Sequence, residues 1–211
     1  AQPDNQLNHL FSSSLEELGL QASTGPVVDF RVKEELCFDL PKEQHVPLFY
    51  PSHFDGISSL IWTNPQHKKP NALMLNEQTT KMVYQAGYYC VVRRFSPKEQ
   101  KHRIVAHFLD QNLLTDYSHF AFENHLNVFH IKKSGLNAEI AQGLTIYLNS
   151  NIVDQYFRQF SGHTQINVGD LKKLPYPNLE QLKTLGLWAK KYKQIQQDQI
   201  DRRVMELVQN V

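Results

Sequence analysis

The sequence is poor in cysteine, in long hydrophobic runs and in net charge, and each shortage excludes a class of protein. Its 2 cysteines, Cys37 and Cys90, lie far apart in apolar runs, which favours buried, reduced thiols in the cytosol over a secreted, disulfide-linked domain. No apolar stretch approaches the ~20 residues that a membrane span needs, and the first residues lack the pattern of a signal peptide. Lys and Arg number 22 against 21 Asp and Glu, so the chain is neither a polycation that coats nucleic acid nor an acidic disordered segment.

The 211 residues suit one large domain, or one domain with an appendage. Folding a chain of this size buries roughly 70% of the surface that the unfolded chain exposes, so the core needs no disulfide or metal to be stable. The sequence opens on Ala1 rather than on methionine, and we therefore expect a processed chain or a fragment of a longer polypeptide.

The sequence also lacks the motifs of a self-contained catalytic site. It has no GxGxxG or GxxxxGK(S/T) turn, no HExxH pair and no GxSxG elbow. The triplet EQK at 99–101 has the ExK form of some nucleases, but a metal-dependent nuclease needs a carboxylate on a preceding strand, and no Asp occurs between Asp55 and Asp110. The NPQ at 64–66 lacks the second proline and the aromatic residue of the tetrapeptide that holds a flipped adenine. We predict no catalytic residue and no metal site in this chain.

Hydrophobic spacing predicts mainly strands between residues 23 and 131 and helices after them. The prolines in PLFYPSHF (47–54) limit that segment to an edge strand at best. SPKEQK (96–101) is predicted to connect two strands tightly, and FAFENHLNVFHI (120–131) to form a hairpin that turns at 123–125. From 137 to 160 apolar residues recur at helical spacing. The sequence therefore predicts a mixed α+β domain, a sheet with flanking helices.

Helices are also predicted at both ends of the chain. The first includes Leu7 to Leu18, and the last is one long polar helix over 179–208. Its narrow apolar stripe consists of Leu182, Leu185, Ala189, Tyr192, Ile195, Ile200, Val204 and Leu207. Such a stripe favours packing along another helix, and it leaves open a protein-interaction module that docks or dimerises through this helix. We divide the chain into an N-terminal helical segment (1–22), a central domain (23–177) and a C-terminal helix (178–211).

Positive charge gathers in loops and at strand ends. The clusters are Lys68-Lys69, Arg93-Arg94, Lys98 with Lys101, His102 and Arg103, Lys132-Lys133, Lys172-Lys173 and Lys190-Lys191. Amides, hydroxyls and histidines accompany several of them. Cations neutralise DNA phosphates, while planar Arg, Asn and Gln side chains pair with base edges. Dibasic pairs also mark an ordinary solvated surface, and composition alone favours that interpretation.

Three segments together resemble one family. STGPVVDFR (23–31), VVRRFSPKEQKHRIVA with ENHLNVFH (91–106 and 123–130), and YFRQFSGHTQINVGDLKKLPYP (156–177) resemble the C-terminal region of type II adenine-specific (N6) DNA methyltransferases of restriction-modification systems. The string GxTQxN, followed by LxxLPxP and a long helix, is more distantly similar to the target recognition domains of type I specificity subunits.

The resemblance implies a DNA target recognition domain at 23–177, which docks on duplex DNA and selects the sequence to be methylated. In that family a preceding domain binds S-adenosylmethionine and holds the flipped adenine, and the motifs of that domain are absent here. The chain is therefore expected to bind DNA without methylating it and to hold no cofactor itself. Its expected partners are duplex DNA and the missing N-terminal catalytic domain, in the cytoplasm.

By the same resemblance, Gly162 to Asn167 form a signature loop. The residues expected to contact DNA are Lys68, Lys69, Arg93, Arg94, Lys101, Arg103, Gly162, His163, Thr164, Gln165, Asn167 and Lys172. Instead of contacting DNA, His163 and Asn167 could fix the conformation of the loop. Residues 23–25 could likewise form a junction that packs against the catalytic domain. The open alternatives for the whole chain are the recognition part of a fused restriction-modification endonuclease, a type I specificity subunit, and the helix-mediated interaction module.

Overall fold

The computed structural model describes residues 6–62, 68–96, 101–160 and 164–209. The strands are β1 (Gln21–Thr24), β2 (Leu36–Cys37), β3 (His45–Phe49), β4 (Phe54–Asp55), β5 (Ser59–Leu60), β6 (Ala72–Met74), β7 (Tyr84–Gln85), β8 (Tyr89–Arg93), β9 (Ala106–Leu109), β10 (His119–Phe122) and β11 (Leu126–His130). The helices are α1 (Gln6–Leu10), α2 (Ala138–Leu148), α3 (Asn151–Phe160), α4 (Val168–Lys173), α5 (Leu179–Ala189) and α6 (Gln197–Gln209). The predicted α+β class is confirmed.

The described strands form two larger sheets and one short pair. The four-stranded sheet has the order β1-β11-β8-β9, and its neighbouring strands are antiparallel. The five-stranded sheet has the order β2-β6-β3-β10-β7, in which β3 and β10 run parallel and the other neighbours antiparallel. Strands β4 and β5 pair separately. The pairing of β8 with β9 confirms that the segment around 96–101 joins two strands, although residues 97–100 lie outside the described ranges.

The four-stranded sheet lies between the helices and the second sheet. Along β8, Cys90 and Val92 belong to a buried cluster shared with the helices. Tyr89 and Val91 belong to a second cluster, rich in aromatic residues, that the two sheets share. Because both faces of β8 are buried, its sequence is a continuous apolar run rather than an alternating one.

The strand β3 is central in its sheet, so the prediction of an edge strand for 47–54 is wrong. Its backbone bonds alternate in direction: the Leu48 amide donates to Asn71 O of the segment leading into β6, at 3.0 Å. Pro47 therefore faces β10, the other neighbour. Pairing with β10 begins only at Leu48 and Phe49, so the missing N–H of Pro47 falls just before the ladder, where it costs no bond.

The turn at 123–125 exists, but the predicted hairpin is wrong. Strand β10 pairs with β3 and β7, whereas β11 pairs with β1 and β8. The turn therefore carries the chain from one sheet to the other. A local alternating pattern cannot distinguish these cases, because both strands keep period 2.

The predicted helix over 179–208 is two helices, α5 and α6, separated by residues 190–196. The step of five residues from Ile195 to Ile200 breaks the helical spacing of three and four. The break lets Gln197 Nε2 donate to Asn149 O at 2.9 Å and lets Ile200 enter the helical cluster. That cluster also contains Leu182 of α5 and residues of the central domain, so the boundary at 177/178 stays a prediction.

The N-terminal helix is shorter than the stripe from Leu7 to Leu18 predicts. It ends at Leu10, and the Ser13 backbone then pairs with Tyr176 in both directions, at 3.1 and 2.8 Å. The cysteines are both free, with Cys90 buried as predicted and Cys37 partly exposed. None of the described helices is long and apolar enough to cross a membrane.

Candidate nucleic-acid interface

The three segments that carry the family resemblance meet at one end of the four-stranded sheet. The backbone after β8 pairs with the signature loop: the Ile166 amide donates to Arg94 O at 2.7 Å, and the Ser96 amide donates to Thr164 O at 3.2 Å. The Arg94 amide donates in turn to His125 O at 2.8 Å. We call residues 23–25, 94–96, 123–127 and 164–167 the loop cluster.

Two side chains fasten the signature loop to the sheet. Asn127 is fully buried on β11, and its Nδ2 donates to Ile166 O at 2.8 Å. The Thr24 hydroxyl donates to Asn127 Oδ1 at 3.2 Å, across the β1–β11 register pair. An amide that satisfies both a main-chain carbonyl and a hydroxyl fixes the distance between the loop and the two strands.

Gly25 lets the end of β1 approach the turn between β10 and β11. Its amide donates to Leu126 O at 2.7 Å. A Cβ at this position would lie 2.1 Å from Glu123 O, so any other residue would push the two segments apart. The glycine of the STGP motif thus has a packing reason that does not depend on DNA.

Arg94 is the cation at the centre of the loop cluster, and it is partly exposed. Its Nη1 donates to Asn124 O at 3.2 Å. When the Gln165 carboxamide is oriented so that its oxygen faces the guanidinium, Nε and Nη2 donate to it at 3.0 and 2.8 Å. These contacts use three of the five N–H groups of the guanidinium. Among the described residues the other two have no hydrogen-bond partner.

A buried carboxylate orients the neighbouring histidine. Glu123 is fully buried and accepts bonds from the His125 amide, at 2.9 Å, and from His125 Nδ1. Burial raises the pKa of Glu123, and the bonds from His125 oppose that rise. Because Nδ1 is used by Glu123, the imidazole presents Nε2 on its other side. The His125 side chain is 53% exposed.

Arg93 lies on the other face of β8 from Arg94. Its Nε donates to His107 Nε2 at 3.0 Å, and its Nη2 donates to Phe54 O at 3.1 Å. Burial lowers the pKa of Arg93. The structure therefore brings Arg94 but not Arg93 into the loop cluster.

Arg103 is buried, with 7% of its surface exposed. Its amide donates to Asp154 Oδ1 at 2.7 Å, and its carbonyl accepts from the Ser96 hydroxyl at 2.7 Å. Within the described ranges its Nε and Nη2 atoms are buried without a hydrogen-bond partner. In this structure the backbone of Arg103 supports the loop cluster, while its guanidinium lies inside the protein.

The predicted lysines are all exposed. Lys172 lines a cleft together with Ser23 of the loop cluster. Lys69 Nζ lies 5.5 Å from the centre of the Tyr50 ring. The carbonyl of Lys101 accepts from Arg158 at 3.2 Å, and Lys68 precedes β6.

Gly162 and His163 lie outside the described residues. The described part of the signature loop, Thr164, Gln165 and Asn167, is in the loop cluster, and the Asn167 amide donates to Asp170 Oδ2 at 2.9 Å where α4 begins. That bond uses the main-chain amide of Asn167, so the role of its side chain, in contacting DNA or in fixing the loop, stays a prediction. In the part of the chain that the structure describes, no group of three or more His, Cys, Asp or Glu side chains is placed to hold a metal ion.

The set of predicted contacts did not include Thr24, Phe95, Glu123, His125 or Asn127. One signal was available for Asn127, a polar residue at the centre of the apolar run LNVF on a strand. The turn at 123–125 was predicted, but the bond between Glu123 and His125 was not, because a turn prediction does not specify which side chains meet across it.

Fold and site together define a two-sheet α+β domain with anchored polar loops at one sheet end. Comparison with curated proteins identifies relatives of this chain among the type II methyltransferases. The chain is 49% identical over 198 residues to type II methyltransferase M.BsuBI of Bacillus subtilis, and 42% identical over 173 residues to M.PstI of Providencia stuartii. The matches cover 93% and 82% of this chain but 39% and 34% of those relatives. The chain is thus homologous to one part of these type II methyltransferases, and the predicted resemblance is confirmed.

No family model matches the sequence. Among solved structures, the HsdS subunit from Thermoanaerobacter tengcongensis aligns with 99% of this chain and 46% of its own, with a TM-score of 0.37 and 14% identity. A chain from a structural study of a type I R-M system aligns with 91% of this chain and 40% of its own, with a TM-score of 0.37 and 12% identity.

Proposed function

We propose that this chain is the DNA target recognition domain of an adenine-specific (N6) type II DNA methyltransferase in a restriction-modification system. The homology to part of M.BsuBI and M.PstI supports the class of parent protein. In this proposal the domain that binds S-adenosylmethionine and the flipped adenine belongs to the parent polypeptide outside this chain, and the parent works in the cytoplasm. The duplex DNA partner is part of the same proposal.

The observation that carries the proposal is the anchoring of the loop cluster. Base reading requires planar donors and acceptors that are already in position, because side chains ordered only on binding lose affinity to entropy. Here a guanidinium and a carboxamide, Arg94 and Gln165, are joined to each other and held on paired main chain. Exposed Lys101 and Lys172 are suited to phosphates, which position a protein on the duplex without reading it.

The contact proposed for Arg103 needs an additional event, because its buried guanidinium would have to leave the protein interior. Arg93 is partly exposed, but it lies outside the loop cluster, and two of its nitrogens already donate to His107 Nε2 and Phe54 O. Arg94, whose two remaining N–H groups need no such event, is therefore the first residue to test.

Duplex binding measured over a series of salt concentrations tests the proposal. Binding should weaken linearly on a log–log plot as phosphates release their counterions. Arg94→Ala should reduce the affinity, and if Arg94 contacts a phosphate the salt slope should fall by about one. Arg202→Ala is the matched control, because Arg202 is on α6 with its side chain 65% exposed. Absent or salt-independent binding to every duplex, by this chain and by its parent polypeptide, would contradict the proposal.

The alternative of a C-terminal docking helix has lost its main support. Its apolar stripe suggested a free face, but Leu182 and Leu185 of α5 are buried in the helical cluster with residues of α2. These side chains are therefore unavailable to a partner protein in the folded chain. Sedimentation of a chain that ends near Pro177 would no longer test docking alone, because that deletion removes part of the core.

A further inference from the structure

An aromatic ring stands exposed among the polar groups of the loop cluster. Phe95 is 46% exposed and is not a member of any buried hydrophobic cluster of the described residues. Its ring centre lies 5.4 Å from the ring centre of His125 and 5.6 Å from the guanidinium carbon of Arg94. Single exposed apolar side chains are common on protein surfaces, but this one lies beside the planar polar groups of the loop cluster, where it is available to a ligand.

The backbone under Phe95 is fixed on both sides. Phe95 and Gln165 form an antiparallel bridge, and the bonds from Ile166 to Arg94 O and from Ser96 to Thr164 O enclose it. Ser96, the next residue, is buried. The main chain that carries the ring is therefore fixed relative to Arg94 and Gln165, and little backbone entropy is lost when the ring meets a ligand.

We propose that Phe95 is a specificity-determining residue that packs against the C5-methyl group of a thymine in the recognised duplex. The inference rests on the proposed function. The thymine methyl is the apolar group that a base pair presents in the major groove, and apolar side chains such as Phe contact it there. Arg94 and Gln165, beside the ring, have the paired donors and acceptors that read the adjoining base edges.

The covered part of the ring favours this contact over insertion between base pairs. About half of the Phe95 surface is shielded, and His125 and Arg94 lie against it. A wedge enters between base steps and partly unstacks them, and these two neighbours limit how far the ring can enter such a gap. The neighbours leave the outer edge of the ring exposed. That edge is large enough to contact one methyl group.

Thymine-to-uracil substitution tests the contact, because it removes only the methyl group. The preferred duplex is first selected with this chain from a library of randomised duplexes, and each thymine in it is then replaced by uracil in turn. For the unchanged chain, one replacement should weaken binding about fourfold, the effect of one buried methyl-sized group. Phe95→Ala should bind the thymine duplex about fourfold more weakly than the unchanged chain does. Replacing that thymine by uracil should not lower the affinity of Phe95→Ala any further.

Several controls separate an apolar contact from a change in folding or charge. Phe95→Leu keeps an apolar side chain and should restore the sensitivity to uracil at that position. Phe95→Ala should leave the salt slope unchanged, unlike the loss of a phosphate contact. Leu187→Ala, at an exposed position of α5, should leave both affinities as they are. Thermal unfolding of each variant checks that it folds.

The possible results assign failure to different steps. If the unchanged chain and its parent select no sequence, the proposed function fails, and the inference fails with it. The inference about Phe95 is overturned, while DNA recognition stands, if the chain selects a sequence but no uracil replacement weakens its binding. It is overturned likewise if each uracil replacement lowers the affinity of Phe95→Ala as much as it lowers the affinity of the unchanged chain. If 2-aminopurine placed beside the sensitive position brightens on binding, the ring inserts between bases and the methyl contact is wrong.

Discussion

A methyl group added at Gly186 should destabilise the protein by forcing two helices apart. A Cβ at Gly186, on α5, would lie 1.9 Å from Glu139 O on α2 and 2.6 Å from the Glu139 carbonyl carbon. The closest comfortable approach of a carbon to a carbonyl oxygen is about 3.3 Å, so the helices must separate by roughly 1.4 Å. Both obstructing atoms are backbone atoms, so no side chain can rotate away to relieve the contact.

The substitution has an energetic cost from overpacking and a smaller gain from helix propensity. Overpacking in a well-packed core costs about 1–3 kcal/mol, and a backbone clash belongs at the upper end, since separation also loosens the buried Leu182 and Leu185. Replacing glycine by alanine within a helix returns about 1 kcal/mol of helix propensity. Gly186→Ala should therefore lose about 2 kcal/mol, or roughly 4–8 °C in Tm for a chain of this length.

Thermal and urea unfolding of three variants would measure the effect. Gly143→Ala should behave like Gly186→Ala, because its Cβ would lie 1.9 Å from Leu182 O. Gly169→Ala is the matched control: it is on α4, and nothing lies within 4 Å of its added Cβ. It should be neutral or stabilised by up to about 1 kcal/mol. A Gly186→Ala protein that unfolds at or above the temperature of the unchanged chain would refute the helix-contact reasoning.

Three further predictions concern buried polar and titratable groups. Asn127→Ala leaves a buried carbonyl unsatisfied and should cost about 1–3 kcal/mol in urea unfolding; an unchanged midpoint would contradict this. Burial raises the pKa of Cys90 to about 12, so iodoacetamide at pH 8 should label the partly exposed Cys37 and leave Cys90 unlabelled until denaturant is added. Burial lowers the pKa of His107 to about 4. Below pH 6.5 the unfolded chain therefore binds a proton that the folded chain does not. His107 should cost up to about 3 kcal/mol of stability as pH falls from 6.5 to 4; a His107→Gln variant with an equally steep pH profile would refute this.

The bond pattern of His107 supports the sign of that pH dependence. Its Nδ1 donates to Gly56 O at 2.5 Å, and its Nε2 accepts from Arg93 Nε at 3.0 Å. A proton on Nε2 would remove the acceptor and set two cations against each other. The folded protein therefore stabilises the neutral form of the His107 ring, in agreement with the lowered pKa.

The sequence predicted the fold class and the segments of the loop cluster, because both depend on local pattern. Alternating apolar residues and the change to helical spacing after 137 are sufficient for an α+β class. Which strands become neighbours is different. The turn at 123–125 changes sheets, and Pro47 is tolerated in a central strand, because of where pairing with β10 begins rather than because of any local motif.

The dibasic pairs show why the sequence alone does not identify which basic residues contact DNA. At the end of β8 two successive arginines face opposite sides, so one binds His107 and the other Gln165. Lys132 and Lys133 both adopt positive φ, 49° and 61°, and Lys133 Nζ donates to Lys81 O at 2.7 Å. That pair forms a tight turn, and one of its ammonium groups binds main chain elsewhere in the protein, which is the ordinary structural role that composition favoured. A sequence shows the charge at each pair, but only the pairing of strands decides which charge meets the solvent. Of the arginines predicted to contact DNA, Arg94 alone lies in the loop cluster beside the carboxamide of Gln165, and the recognition hypothesis therefore depends most on this residue.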